Sequence, residues 1–150
     1  MADPDPSEMS EGEKIARVVA SQLSGALSQT FSYDVMPDID LKDLAGSTLG
    51  TVRDINEEMT FAGGSRSLSR HEYHIEVCLR RQVSHSGDVH VSQLKKFLQQ
   101  VAEYFRFREL TDRPERLIRA DSRRIMEDEA FKDRGVIKAS IVLVFQGWRN

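Results

Sequence analysis

Apolar residues recur at spacings of three and four near the start of the chain. Ile15, Val18, Val19, Leu23, Ala26 and Leu27, with Gln22 among them, fall on one stripe, and that stripe predicts an amphipathic helix running to about Gln29. Ser10 and Glu13 stand before it at capping-box spacing, so the helix is expected to begin near Ser10. A stronger stripe follows later. Leu94, Phe97, Leu98, Val101, Ala102 and Phe105 predict a second helix over 92–109, whose buried face contributes ~10 kcal/mol before the entropy of ordering is set against it.

Between and after these helices the period changes to two. Thr30 to Val35 alternates Phe31, Tyr33 and Val35 with polar residues and stops at Pro37, a short strand. Residues 38–46 read as an acidic connector, and 47–55 as a weakly alternating strand. Residues 70–83 alternate most clearly: Tyr73, Ile75, Val77 and Leu79 share one face, and His74, Glu76, Cys78 and Arg80 the other. The stretch 84–89 reads as a turn. A strand is expected over about 117–126, then a charged turn or short helix to 133. Over 136–145, Ile137, Ala139, Ile141, Leu143 and Phe145 occupy one face while Val142 and Val144 make the other apolar too. Such a strand belongs in the middle of a sheet or at a subunit contact.

Residues 56–69 carry no period. They hold Gly63-Gly64 and several hydroxyl residues, and are expected to form a long exposed loop between strands. In this element order the helices cannot all be βαβ crossovers. The order predicts an α+β fold, one mainly antiparallel sheet packed against two amphipathic helices. Residues 1–9, acidic and proline-containing, are expected to be a flexible tail, and 10–150 a single domain.

Composition narrows the function. The chain of 150 residues has formal charge -3 from 21 basic and 24 acidic residues, whereas a dedicated DNA-binding domain carries a clear positive excess. One cysteine, Cys78, excludes an internal disulfide and a cysteine-rich zinc site. No stretch approaches the ~20 apolar residues of a membrane span. The polar N-terminus has no signal-peptide pattern, so neither export nor membrane insertion is expected.

No catalytic constellation emerges. His74 and Cys78 share a strand face but stand ~13 Å apart, beyond hydrogen-bond reach. His71 and His74, three apart on a strand, point to opposite faces, and His85 and His90 flank the turn. Gly63-Gly64-Ser65-Arg66 lacks the strand-to-helix setting that aims amides at a phosphate. The acidic groups Asp38, Asp40, Asp43 and Glu127, Asp128, Glu129 read as solvated surface. The expectation is therefore no enzyme, no cofactor and no metal. The remaining candidates are apolar residues without an evident place in the core, namely Met59, Phe61 and Leu68 in the loop and Val142 and Val144 on the second face of the last strand.

The order of elements resembles a family of phage neck proteins, the tail terminators or tail completion proteins of tailed bacteriophages, over about residues 14–149. The likeness is carried by the first helix leading into Phe31-Ser-Tyr-Asp-Val-Met-Pro-Asp-Ile-Asp-Leu-Lys-Asp-Leu. It continues in His71-Glu-Tyr-His-Ile-Glu-Val-Cys-Leu-Arg-Arg-Gln-Val with the helix ending Val101-Ala-Glu-Tyr-Phe-Arg, and in the stretch from Phe131 into Ile141-Val-Leu-Val-Phe and on to Arg149. The resemblance implies a virion protein of the tail or neck, assembled in the host cytoplasm. It implies a homo-oligomeric ring, typically a hexamer, that caps the tail tube, ends its polymerisation and joins the tail to the head connector or stopper protein. Genome DNA would pass the lumen without specific binding, which suits a near-neutral to acidic surface. A ring needs two different complementary patches per subunit. A head-completion or stopper protein, and an unrelated protein-binding module, stand as alternatives.

Overall fold

The computed structural model describes residues 5–34, 48–61, 68–82, 88–123, 126–127 and 135–149. Two helices, α1 (Glu11–Ala26) and α2 (Asp88–Arg106), lie against a six-stranded sheet. Its strands are β1 (Phe31–Tyr33), β2 (Thr48–Phe61), β3 (Ser69–Gln82), β4 (Arg116–Ser122), β5 (Met126–Glu127) and β6 (Val136–Arg149), in the order β1-β2-β3-β6-β4, with β5 also on β6. All pairings are antiparallel except β1 with β2. The α+β architecture expected from the element order is thus the observed one.

Helix α1 starts where the capping box places it. Ser10 has an extended backbone, and its hydroxyl accepts from the Glu13 amide at 3.2 Å, satisfying one of the donors that a helix start leaves open. Its buried side chains Ile15, Ala16, Val19, Ala20 and Leu23 meet β1, β2 and β3, while α2 lies on β6 and β4. Both helices cover the same face. The core joins those α1 residues and Leu94, Leu98, Val101 and Phe105 of α2 to Tyr73, Ile75, Val77, Leu79, Ile141, Leu143 and Phe145 of the sheet. Phe105 and Phe145 meet edge to face, 5.5 Å between centroids, the geometry aromatic quadrupoles favour. β1 is seated by close approach. A Cβ on Gly50 would stand 2.7 Å from Phe31 Cδ1, so only glycine lets the Phe31 ring lie over the strand.

Four expectations need revision. The strand expected to end at Ile55 runs on to Phe61, and residues 56–61 of the expected loop are its outer half, paired with 69–74. Their exposure explains why the sequence shows no alternation: Asn56 to Phe61 are all solvent-exposed, and no buried face imposes a period. Residues 62–67, with Gly63 to Arg66, lie outside the described residues. Second, α1 stops at Ala26 rather than near Gln29. Third, the strand expected over about 117–126 is β4, which ends at Ser122, with β5 a separate short strand; a turn precedes β4. Leu110 and Arg113 close a turn with Asp112 at φ 58°, a left-handed conformation that Asp tolerates better than most residues. Gln22, counted on the apolar stripe of α1, ties this turn down: its amide donates to the Glu109 carbonyl at 3.0 Å and accepts from the Thr111 amide at 3.1 Å. Fourth, β6 continues past Phe145 to Arg149.

Of the expected tail, residues 5–9 contain a short 3-10 turn, Pro6–Glu8, capped by Asp5; residues 1–4 lie outside the described residues. So do the connector 38–46, most of the expected turn 84–89 and nearly all of the charged stretch before 134. No helix among the described residues is long and apolar enough to cross a membrane.

The turn after α2 carries a buried ion cluster. Glu115, 1% exposed, takes both Arg113 nitrogens, at 2.7 and 3.1 Å. Arg113 also donates to Glu11 at the start of α1, and Glu11 accepts from Arg149 at the end of β6 at 2.8 Å. The Arg113 hydrogen bond, with Arg149 assisting, holds the Glu11 carboxyl well below the ordinary range, at about 2. Gly147 lies beneath: a Cβ there would come within 2.9 Å of Glu115 Cγ.

Candidate assembly surface

The candidate surface is built on the outer half of the β2–β3 hairpin. Within the helix-covered part, β2 presents Val52 to the core, with no exposed surface. Further out the strand passes beyond the core residues. Met59 and Phe61 alternate onto one face, the face that carries the helices lower down, and are 55% and 52% exposed. Leu68, where the chain enters β3, is exposed as well. The structure therefore gathers three of the sequence-derived candidates on one hairpin.

That hairpin is held from beneath by His71. Its ring stacks on Tyr73, with centroids 6.0 Å apart and planes inclined by 13°. Its nitrogens reach Ser69 Oγ at 2.8 Å and Glu57 Oε1 at 3.2 Å. Ser69, His71 and Glu57 thus link both strands of the outer hairpin to the buried Tyr73, so Met59 and Phe61 are presented on an anchored ladder. Burial pushes the Tyr73 phenol upward.

Val142 and Val144 are placed differently from the expectation. They do lie on the face opposite the helices, but are 5% and 0% exposed. In register, Val142 lies between Glu76 and Asp121, and Val144 between His74 and Arg119. Long polar side chains shield apolar strand surface with their stems while their heads stay wet, so a central strand can be apolar on both faces without a partner subunit. Little of either valine is left for another chain to touch.

Trp148 was missed by the sequence reading and is 54% exposed. It pairs with Arg70 one strand over from Thr60, close to Met59 and Phe61 along the strands but on the opposite face. The signal was available, since the alternation of β6 continues through Gln146, Gly147 and Trp148.

The helix-free face also carries polar groupings that the sequence did not reveal. Glu76, 2% exposed, is paired with Arg53 at 2.9 Å and approached by Arg123 at 3.8 Å. Further along, Glu58 and Glu72 stand directly opposite each other on β2 and β3. His74 follows Glu72 on the same face, and one ligand atom from each of the three lies within 4.8 Å of the others. His74 Nε2 is buried and has no hydrogen-bond partner among the described residues. Cys78, on this face too, is buried, and among the histidines His90 lies against Arg81 at 3.3 Å. His85 lies outside the described residues.

A groove of about 670 Å³ runs between α2 and β4, lined by Val91, Leu98, Ala102, Ala120 and Ile141 together with Lys95 and Arg123. It is concave and largely apolar, whereas the hairpin is a protruding apolar edge.

Comparison with protein-family models and with curated proteins finds no match.

Proposed function

We propose that this chain is a structural subunit of a phage tail terminator, a ring that caps the tail tube, ends its polymerisation and joins the tail to the head connector. The observation that carries the proposal is the exposed apolar hairpin, with Met59 and Phe61 each more than half exposed on a strand fixed through His71 to the core. Anchored apolar surface of this kind serves binding to other proteins better than it serves solubility. A closed ring requires that each copy present two different, complementary patches. The hairpin supplies a protruding one and the groove between α2 and β4 a recessed one, so the chain offers both halves of a head-to-tail contact between copies. The resemblance of the element order to that of tail terminators suggests the rest of the reading, including the tail-tube and connector partners, a lumen that DNA traverses without specific binding, and a place in the virion.

The test is assembly. Light scattering with negative-stain imaging of the full chain should show a ring with an open lumen, and a pull-down should retain tail-tube protein. A persistent monomer at high concentration, with no ring in the presence of tail tubes, refutes the proposal. Rings that capture portal or adaptor protein but not tail tube assign the chain to the head-completion or stopper class instead. Met59→Ser with Phe61→Ser should leave the fold intact, because neither side chain is in the core, and abolish the ring.

A further inference from the structure

Glu58 and Glu72 face each other across the β2–β3 ladder, an arrangement that like charges disfavour. The arginines nearby offset it only in part. Arg70 Nε pairs loosely with Glu72 Oε1 at 3.9 Å, beyond hydrogen-bond range, and makes no hydrogen bond among the described residues. Arg119 attracts both glutamates at longer range, but its hydrogen bond goes to Asp121, at 2.7 Å. Beside the glutamates His74 holds a buried nitrogen, Nε2, that no group among the described residues satisfies. Leaving a buried polar atom unpaired is unfavourable. Both unfavourable features, the facing carboxylates and the orphaned imidazole nitrogen, converge on one point of the sheet, where the three side chains bring donor atoms within 4.8 Å of one another.

We propose that Glu58, Glu72 and His74 form a binding site for a divalent first-row transition-metal cation. The donor set is two carboxylate oxygens and one imidazole nitrogen, which suits zinc or manganese better than a purely oxygen-seeking ion such as calcium. Protein ligands bind zinc at ~2.0–2.2 Å, so no two donors around one ion stand more than ~4.4 Å apart. The donor atoms here all lie within 4.8 Å of one another, so any closure onto an ion is small. Glu58, exposed and carried on the outer strand, has the rotamer freedom to make it, while the two β3 residues stay fixed by the ladder. Three protein ligands leave the fourth position of a tetrahedral ion open. The site sits on the helix-free face of the same hairpin that carries Met59 and Phe61, and a bound ion would cross-link β2 to β3 where no core residue does. The inference rests on this cluster alone and is independent of the ring.

The experiment titrates zinc chloride into the full chain after stripping with chelator, by calorimetry at neutral pH, with thermal unfolding followed in parallel. One ion should bind per chain. At about 100 times the dissociation constant, binding to the folded state alone raises Tm by roughly 5–10 °C. Glu72→Gln, His74→Ala and Glu58→Gln should each weaken binding at least tenfold and remove the Tm rise. In chelator, by contrast, Glu58→Gln and Glu72→Gln should melt at or slightly above the parent temperature, because each removes one of two facing charges. A merely structural role for these residues would not give this opposition. His90→Ala should bind as the parent does. Glu58 lies at the surface, so its variant folds whatever becomes of His74→Ala and keeps the test decisive. No saturable binding to the parent, or equal binding to the Glu58 and His74 variants, overturns the proposal.

Discussion

Replacing Arg113 by alanine removes the centre of the ion cluster that ties the start of α1 to the turn after α2 and to the end of β6. Arg113 is the bidentate partner of Glu115, whose side chain is 2% exposed, and it also reaches Glu11. Its loss leaves the Glu115 carboxylate buried, with Arg149 Nη2 at 3.6 Å as the nearest remaining cation among the described residues. Breaking a buried pair from one side costs ~3–5 kcal/mol. Arg149 stays to share the charge and the Arg113 side chain is itself 16% exposed, so the lower end, about 3 kcal/mol, is expected. For a chain of this size that is a fall in Tm of ~6–12 °C. The measurement is urea unfolding at neutral pH, followed by circular dichroism. Acid adds a second readout. The Glu11 carboxyl lies at about 2 against an ordinary 4.5, first because of the Arg113 hydrogen bond. Its contribution is full above the ordinary value and is lost as the pH falls toward 2. Glu11 is 30% exposed and partly screened, so this amounts to ~1–2 kcal/mol. Arg113→Ala should therefore flatten the parent's loss of stability between pH 4.5 and 2. Removing the buried charge as well, in Arg113→Ala with Glu115→Leu, should recover part of the neutral-pH loss. A single-variant cost below about 1 kcal/mol, or an unchanged acid limb, refutes the account of a buried, mutually dependent cluster.

Three further outcomes follow from particular contacts. Gly50→Ala places a Cβ against the Phe31 ring at 2.7 Å and the Thr30 carbonyl at 2.9 Å; it should cost ~1–3 kcal/mol by overpacking, read as a lower urea midpoint with an unchanged slope. Ser10→Ala removes the cap on the Glu13 amide and should cost ~1 kcal/mol, whereas Ser10→Asp should restore it. Cys78, 2% exposed, should resist a thiol reagent in the folded chain and react fully in denaturant; rapid labelling under native conditions would contradict its burial.

Local physics made much of this molecule readable. The stripes of α1 and α2 and the alternation of β3 each follow from a period tied to one buried face, the Ser10 cap from the spacing of two polar side chains, and the apolar run of β6 from burial on both faces; each is observed. The outer half of β2 was not readable because both of its faces meet solvent, so its strand geometry comes from hydrogen bonds to β3 and not from side-chain pattern. The cover of Val142 and Val144 was missed for a related reason: the residues flanking them in register, Glu76 and His74 on β3 and Asp121 and Arg119 on β4, lie on two other strands, and no property of β6 announces them. Met59, Phe61 and Leu68 were found because exposed apolar residues outside a period are visible in one dimension. Glu58, Glu72 and His74, and the chain of ions from Glu11 through Arg113 and Glu115 to Arg149, were not.

The sequence by itself determined which segments bury a face and which faces those are, because burial periodicity is a property of a single helix or strand. Only the tertiary structure decided which charges meet. Glu11 and Arg149 lie 138 residues apart, and Glu58 faces Glu72 only in one register of the β2–β3 ladder. Electrostatic and coordinating contacts depend on distances of a few ångströms across elements, and those distances exist only once the core has fixed the register. The exposed hairpin stands between the two cases: its apolar residues could be named from the chain, but their presentation on an anchored strand required the fold.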